Sequence, residues 1–297
     1  MRRYRAFWLL FLPGVAAFGQ LMTRSSFTTL TDGKVQGSAT FDPPRHTPQP
    51  VAGAPYYGEE VSEHVQTLAN GVHITQTNQL VKTWRDSQGR TRTERPITLV
   101  RRAQADLPVL IQITDPLAGY VYVLDAEKRI AHRVAAPPQE TGPRPLQRAY
   151  VQGSASSILF AEAAAAAPAP EPKRSAAARK PDTQAGDVTN EVLGTQTVEG
   201  VAAEGTRQTI VYPTGSHGND APFSVVSENW WSRELQLTVL STRDDPRSGV
   251  ETQKIVNLST QEPDPALFMV PAGYTVVDET ASFTITWGAQ EPGSQQQ

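Results

Sequence analysis

Cysteine is absent from the 297 residues. No disulfide can staple the fold, no acyl chain can be carried on a lipobox cysteine, and thiol catalysis and cysteine-ligated metals are excluded. Long hydrophobic runs are missing too, because the apolar stretch Ala6 to Gly19 is broken by Pro13-Gly14. Histidine is scarce: His46, His64, His73, His132 and His217 show neither H-x-x-x-H nor H-E-x-x-H spacing, which removes the usual zinc signatures. Neither a G-x-S-x-G elbow nor a phosphate-binding glycine motif occurs. Glu59-Glu60 and Asp244-Asp245 are adjacent, and neighbouring side chains of a strand point to opposite faces, so neither couple forms a glycosidase-type acid pair. His217, in a glycine-flanked loop, is the one histidine in a setting typical of active sites, and it has no identifiable partner in sequence. A hydrolase using it is the third and least favoured class of function.

Enough is present for one real core: five tryptophans, eight tyrosines and nine phenylalanines, with 38% hydrophobic residues overall. These figures exclude a membrane bundle, a collagen-like fibre, a coiled coil and a wholly disordered chain. Proline, at 24 residues, exceeds the usual ~5% and predicts extended or unstructured segments. Charge is balanced overall, at −3, but residues 186–297 hold 5 Lys and Arg against 15 Asp and Glu. Lys82, Arg85, Arg90, Arg92, Arg95, Arg101 and Arg102 form a basic stretch that could steer a charged partner or simply solvate strand faces. Nucleic acid is not an expected partner of a net negative exported chain.

The first nineteen residues have the parts of a secretory signal: Arg2, Arg3 and Arg5, then the apolar stretch, then small residues at Ala17 and Gly19. Cleavage before Gln20 is expected. As a retained anchor, about fourteen residues would reach only ~21 Å of a ~30 Å hydrocarbon core. Periplasmic or extracellular location follows, with no integral membrane span after cleavage.

Residues 20–55 carry five prolines between 43 and 55 and no apolar periodicity, so a disordered tail is expected. From Tyr56 the texture changes to strands: 59–68 and 72–84 flank Asn70-Gly71, a strong hairpin signal. In LPVLIQIT (107–114), Leu107, Val109, Ile111 and Ile113 alternate on one face. YVYVL (120–124) and RIAHRV (129–134) complete a meander. Residues 135–190 are an Ala/Pro-rich linker with a short helix predicted over 156–167. Strands resume with a hairpin about Glu199-Gly200, then 223–231, 235–243 and 250–260; after these, Leu267 and Phe268 fold back as apolar plugs. Phe283, Ile285 and Trp287 mark a last edge strand within 279–297, before a polar tail. The expected architecture is mainly β: one domain over 56–278, a large curled antiparallel sheet or open half β-barrel of about 11–12 strands, with a helical or partly disordered lid insertion.

The segments EGVAAEGTRQTIVYP (199–213), NWWSRELQLTVLSTRDDPRSGVETQKIVNL (229–258) and PDPALFMVPAGYTVVD (263–278) resemble the periplasmic lipoprotein-carrier superfamily, the LolA/LolB/RseB-like fold. LVKTWRDSQGRTRTE (80–94) and ITDPLAGYVYVLDAEKRIAHRV (113–134) fit it more loosely. The resemblance implies a half-barrel whose apolar concave face shelters acyl chains or a hydrophobic peptide. An acyl chain left in water costs ~0.8 kcal/mol per CH₂, so a carrier needs a dry surface rather than catalytic groups or a cofactor. Leu80, Trp84, Tyr120, Tyr122, Val225, Trp231, Leu237 and Val239 are the residues expected to line that face, or else to be ordinary core. The partners implied are a lipid or lipoprotein. The alternative is an envelope protein-interaction or regulatory module of the same fold with no lipid ligand.

Overall fold

Alternation of β-branched and polar residues, punctuated by Asx-Gly and Gly turns, folds as the pattern dictates. The computed structural model describes residues 22–29, 35–44, 50–96, 108–136 and 186–288. Six consecutive strands form a meander: β3 (Tyr56–Thr67), β4 (His73–Arg85), β5 (Thr91–Pro96), β6 (Val109–Asp115), β7 (Tyr120–Asp125) and β8 (Ile130–Ala135). Five more follow: β9 (Asp187–Val198), β10 (Val201–Tyr212), β11 (Phe223–Ser232), β12 (Leu237–Asp245) and β13 (Gly249–Ser259). The last of these pairs with the first of the meander, β13 beside β3, so the two blocks fuse into one sheet. With β14 (Thr275–Glu279) added in parallel to β8, the sheet has twelve strands in the order β14-β8-β7-β6-β5-β4-β3-β13-β12-β11-β10-β9. Its end strands do not pair with each other, so the sheet is open. The mainly β, unclosed architecture predicted from the sequence is the one observed.

Turn chemistry explains the hairpins. The β9–β10 connection is the two-residue Glu199-Gly200, both with positive φ (48° and 85°), the combination a twist-matched hairpin requires. At Asn70-Gly71 the loop is longer, running from Leu68 to Val72, and Asn70 Oδ1 accepts a hydrogen bond from the Val72 N–H at 3.2 Å.

Three apolar clusters organise the sheet. A separate three-stranded sheet, β1 (Met22–Thr29), β2 (Val35–Phe41) and β15 (Phe283–Trp287), packs on one face of β6–β8. Ala39, Phe41, Phe283, Ile285 and Trp287 meet Leu110, Val121, Val123 and Val134 there. The alternation predicted for Phe283, Ile285 and Trp287 is thus realised, as the inward side of an edge strand. The expected tail is corrected, because Met22–Thr29 and Val35–Phe41 are strands; the prolines cluster after them and leave both segments free to pair.

On the opposite face, the segment joining β13 to β14 crosses back over the meander through a 3-10 turn at Pro265–Phe268, capped by Asp264 Oδ1 at 2.9 Å. Its buried Phe268 and partly buried Leu267 plug against Ile113, Leu124 and Ala131. The β6–β8 region is therefore covered on both faces. This corrects the single apolar face read from LPVLIQIT: Leu110 and Ile113 are buried on opposite sides and Val109 is exposed. The third cluster, Tyr56, Val201, Ala203, Trp230, Leu235, Leu237 and Val239, closes one end of the β9–β13 block. The signal segment, the predicted helix over 156–167, Leu107 and the polar tail from 289 lie outside the described residues.

Candidate functional site

Four arginines of the basic stretch, Arg85, Arg90, Arg92 and Arg95, are drawn into the fold, while Arg101 and Arg102 lie outside the described residues. Arg85 is 1% exposed. Its Nε donates to Ala54 O at 2.8 Å, its Nη2 to Leu235 O at 2.5 Å, and its guanidinium lies 4.6 Å from the Tyr56 ring centroid. One side chain thereby ties the approach to β3, the end of β4 and the β11–β12 turn, while burial pushes Arg85 down and Tyr56 up to about 12. Arg90 pairs with Asp86 and Arg92 with Glu94, each at 2.6 Å. Arg95 differs from these. Its Nε is buried without a hydrogen-bond partner.

Register places Arg95 in context. Paired residues on adjacent strands share a face. Ile255 pairs with Glu60, Glu60 with Val81, and Arg95 with Leu110. The Lys82–Glu94 pairing sets Val81 beside Arg95. The row Ile255–Glu60–Val81–Arg95–Leu110 therefore crosses five strands on one face. It runs from the edge of the Trp230 cluster to the core under the three-stranded sheet. Burial pushes the Glu60 carboxyl up to about 7, against the opposing pull of Arg95; burial also lowers Arg95 from the ordinary arginine range. Among the described residues no salt bridge joins the two. The neighbouring row is polar, with Thr83 and Gln112 buried and Thr93 between them. The continuously apolar inner face implied by the family resemblance is corrected on this point.

The residues expected to line one surface are divided between two. Trp84 and Tyr122 pack on the crossover face with Phe268 and Ile113, and Tyr120 lies beside Tyr122 at 6.4 Å between centroids. Leu237 and Val239 belong to the Trp230 cluster. Val225 is fully buried on the same side as Ser227. Leu80 sits at the bulge of β4, where the register shifts opposite Glu60 and Val61. Trp231 is 42% exposed, whereas Trp230 is 9% exposed. A register shift at Trp230/Trp231 turns Trp230 inward, over Gly205, where a Cβ would lie 2.5–2.8 Å from the Trp230 ring. Gly205 was the available sequence signal, since a glycine opposite a tryptophan on the partner strand makes room for a ring.

Sequence reasoning also missed a rim cluster. Tyr212 stacks on Phe223 at 5.0 Å, His217 meets Tyr212 edge-on at 4.7 Å, and the Arg247 guanidinium lies 5.1 Å from the Phe223 ring. Asp245 grips Arg247 at 2.7 Å, which lowers the carboxyl to about 2. Ser216 Oγ donates to Pro213 O at 2.8 Å and lies 3.2 Å from His217 Nδ1. Among the described residues no carboxylate orients His217, so the nucleophile–base–acid arrangement of a hydrolase is not assembled. No group of three or more metal-binding side chains occurs among the described residues. No described helix is long and apolar enough to cross a membrane.

A groove of about 510 Å³ on the other face is lined by Arg207, Val226, Glu228, Thr242, Asp244 and Val250. Its arginine is already committed to Glu228 at 2.8 Å and Glu191 at 3.0 Å.

No family model matches the chain, and no curated protein matches it. Among solved structures it is similar to LprF from Mycobacterium bovis, at 11% identity over 72% of this chain and 90% of that one, with a TM-score of 0.24. It is also similar to a LolA superfamily protein from Nitrosomonas europaea, at 7% identity over 75% of this chain and 92% of that one, with a TM-score of 0.23. At this overlap the fold is read from the strand order itself.

Proposed function

We propose that the chain is an exported, non-enzymatic binding protein of the cell envelope, cleaved before Gln20, that holds an apolar ligand against one face of its open sheet. The ligand class is a lipid, a lipoprotein acyl chain or a hydrophobic peptide. One observation carries this reading: a single face of an unclosed sheet bears two separate apolar cores, joined by the half-buried row from Ile255 to Arg95. A filled barrel would need no such strip, whereas a guest lying along it would dehydrate apolar surface at ~25 cal/mol per Å². The sequence resemblance to lipoprotein carriers points the same way. Extraction of the protein purified from its own envelope, followed by lipid mass spectrometry, tests the reading. Stoichiometric recovery of an acyl lipid or apolar peptide is expected, and repeated recovery of the empty protein would sink it. Mass spectrometry of the mature N-terminus is expected to start at Gln20.

A second reading, an interaction module, is favoured by β9. This twelve-residue strand is one end of the sheet, and its Val188 and Val192 are exposed. An unpaired edge of that length is a template for strand addition by a partner. Crosslinking in envelope extract would favour it if one protein were captured through β9 and no lipid were recovered.

A further inference from the structure

The Glu60–Arg95 strip holds a guanidinium whose buried Nε–H the fold leaves without a hydrogen-bond acceptor. A guanidinium taken out of water costs several kcal/mol unless an anion or a set of acceptors meets it. Arg85 meets that demand with two carbonyls, and Arg90 and Arg92 meet it with carboxylates. Arg95 does not, since its buried Nε–H has no acceptor. The acids on its face, Glu60 and Asp125, each stand two strands away, about 9–10 Å between backbones at the usual strand spacing, and Asp125 already pairs with Lys128 at 3.5 Å. Glu60 ionises only near pH 7, so at or below neutrality much of it is the neutral acid, which can donate rather than neutralise. The immediate neighbours of the two groups in the row are apolar: Ile255 and Val81 beside Glu60, Leu110 beside Arg95, with Asp125 beyond Leu110. A polar point set in an apolar row is complementary to a molecule with one anionic end and an aliphatic body.

Resting on the ligand reading above, we propose that Arg95 receives the anionic head of an amphiphile, a carboxylate or phosphate monoester on an alkyl chain, while the chain lies along the half-buried Val81–Ile255 part of the row. Charge-assisted hydrogen bonds from the guanidinium would satisfy the orphan Nε–H, and neutral Glu60 would add a donor to the same head. A neutral ligand would leave Arg95 unmet.

Displacement of the neutral fluorophore N-phenyl-1-naphthylamine from the full mature chain by dodecanoate, dodecyl phosphate and dodecanol tests this. The acid, the phosphate or both should displace the probe at tenfold or more lower concentration than the alcohol, and which of the two does so identifies the head group. Arg95→Gln should bring the anions to the level of the alcohol while leaving the alcohol unchanged, which also shows that the variant is folded. Arg95→Lys, which keeps the charge, should retain part of the preference. Equal displacement by all three in the parent, or a preference that survives Arg95→Gln, overturns the head-group assignment and leaves the apolar-ligand reading standing. Failure of the parent to bind the probe or any of the three removes both.

Discussion

The two halves of the large sheet are built from similar strands and end up in different surroundings. In the β3–β8 half, β6–β8 are covered on both faces, by the three-stranded sheet on one side and the Phe268 crossover on the other. The β9–β13 half has one cluster at one end, and its outermost strand carries Val192 at 81% exposure. One half is an anchor and the other presents surface, with the Glu60–Arg95 strip where they meet. Regions with few buried contacts open at lower free energy, so the less covered half should open first while β6–β8 keep register.

The sharpest way to break this contrast is to empty the anchor. Phe41 is fully buried and stacked on Phe283 at 5.1 Å, so Phe41→Ala should cost about 3–5 kcal/mol in urea unfolding, with amide protection lost first in β6–β8. Next comes the tie between the halves. Arg85→Met leaves the Ala54 and Leu235 carbonyls without their donor and should lose about 2–4 kcal/mol.

Glu60 sharpens the picture at the boundary. Its folded-state pKa is raised from 4.5 to about 7, so its contribution is fully present below about pH 4.5 and is lost as pH rises through 7. Glu60→Gln should therefore match the parent at pH 4 and exceed it by about 1–3 kcal/mol at pH 8, read from paired urea titrations. Asp245 behaves with the opposite sign. Held at about 2 by Arg247, it contributes above its ordinary pKa of 3.8 and loses that contribution as pH falls through 2. Asp245→Asn should cost roughly 1–2 kcal/mol at pH 7, reduced because Arg247 is half exposed, and little at pH 2. Smallest of all, Val192→Thr on the free edge should change stability by less than about 0.5 kcal/mol.

Most strands were legible because period-two patterning and turn residues are local. Glu199-Gly200 marked its hairpin to the residue, and the adjacent Glu59 and Glu60 fall on opposite faces, one bonded to Tyr57 at 2.6 Å and the other in the strip. The eight lining candidates were less legible. Alternation says which residues share a side of one strand, yet it does not say which side meets which cover, and Trp84 and Val239 fell on different faces. At Trp231 a single register shift defeated the pattern, because one added residue reverses facing beyond it.

What the chain alone determined is its class and its chemistry of omission: a strand-rich body with no thiol, no zinc spacing and no nucleophile elbow. These are properties of composition and of neighbours a few residues apart. Only the tertiary structure decided that β13 closes onto β3, that Arg85 is spent on two distant carbonyls, and that the Arg95 Nε–H is left without an acceptor. Each of those depends on residues far apart in sequence meeting where water is excluded, and there the cost of an unmet charge is set by the surroundings rather than by the residue.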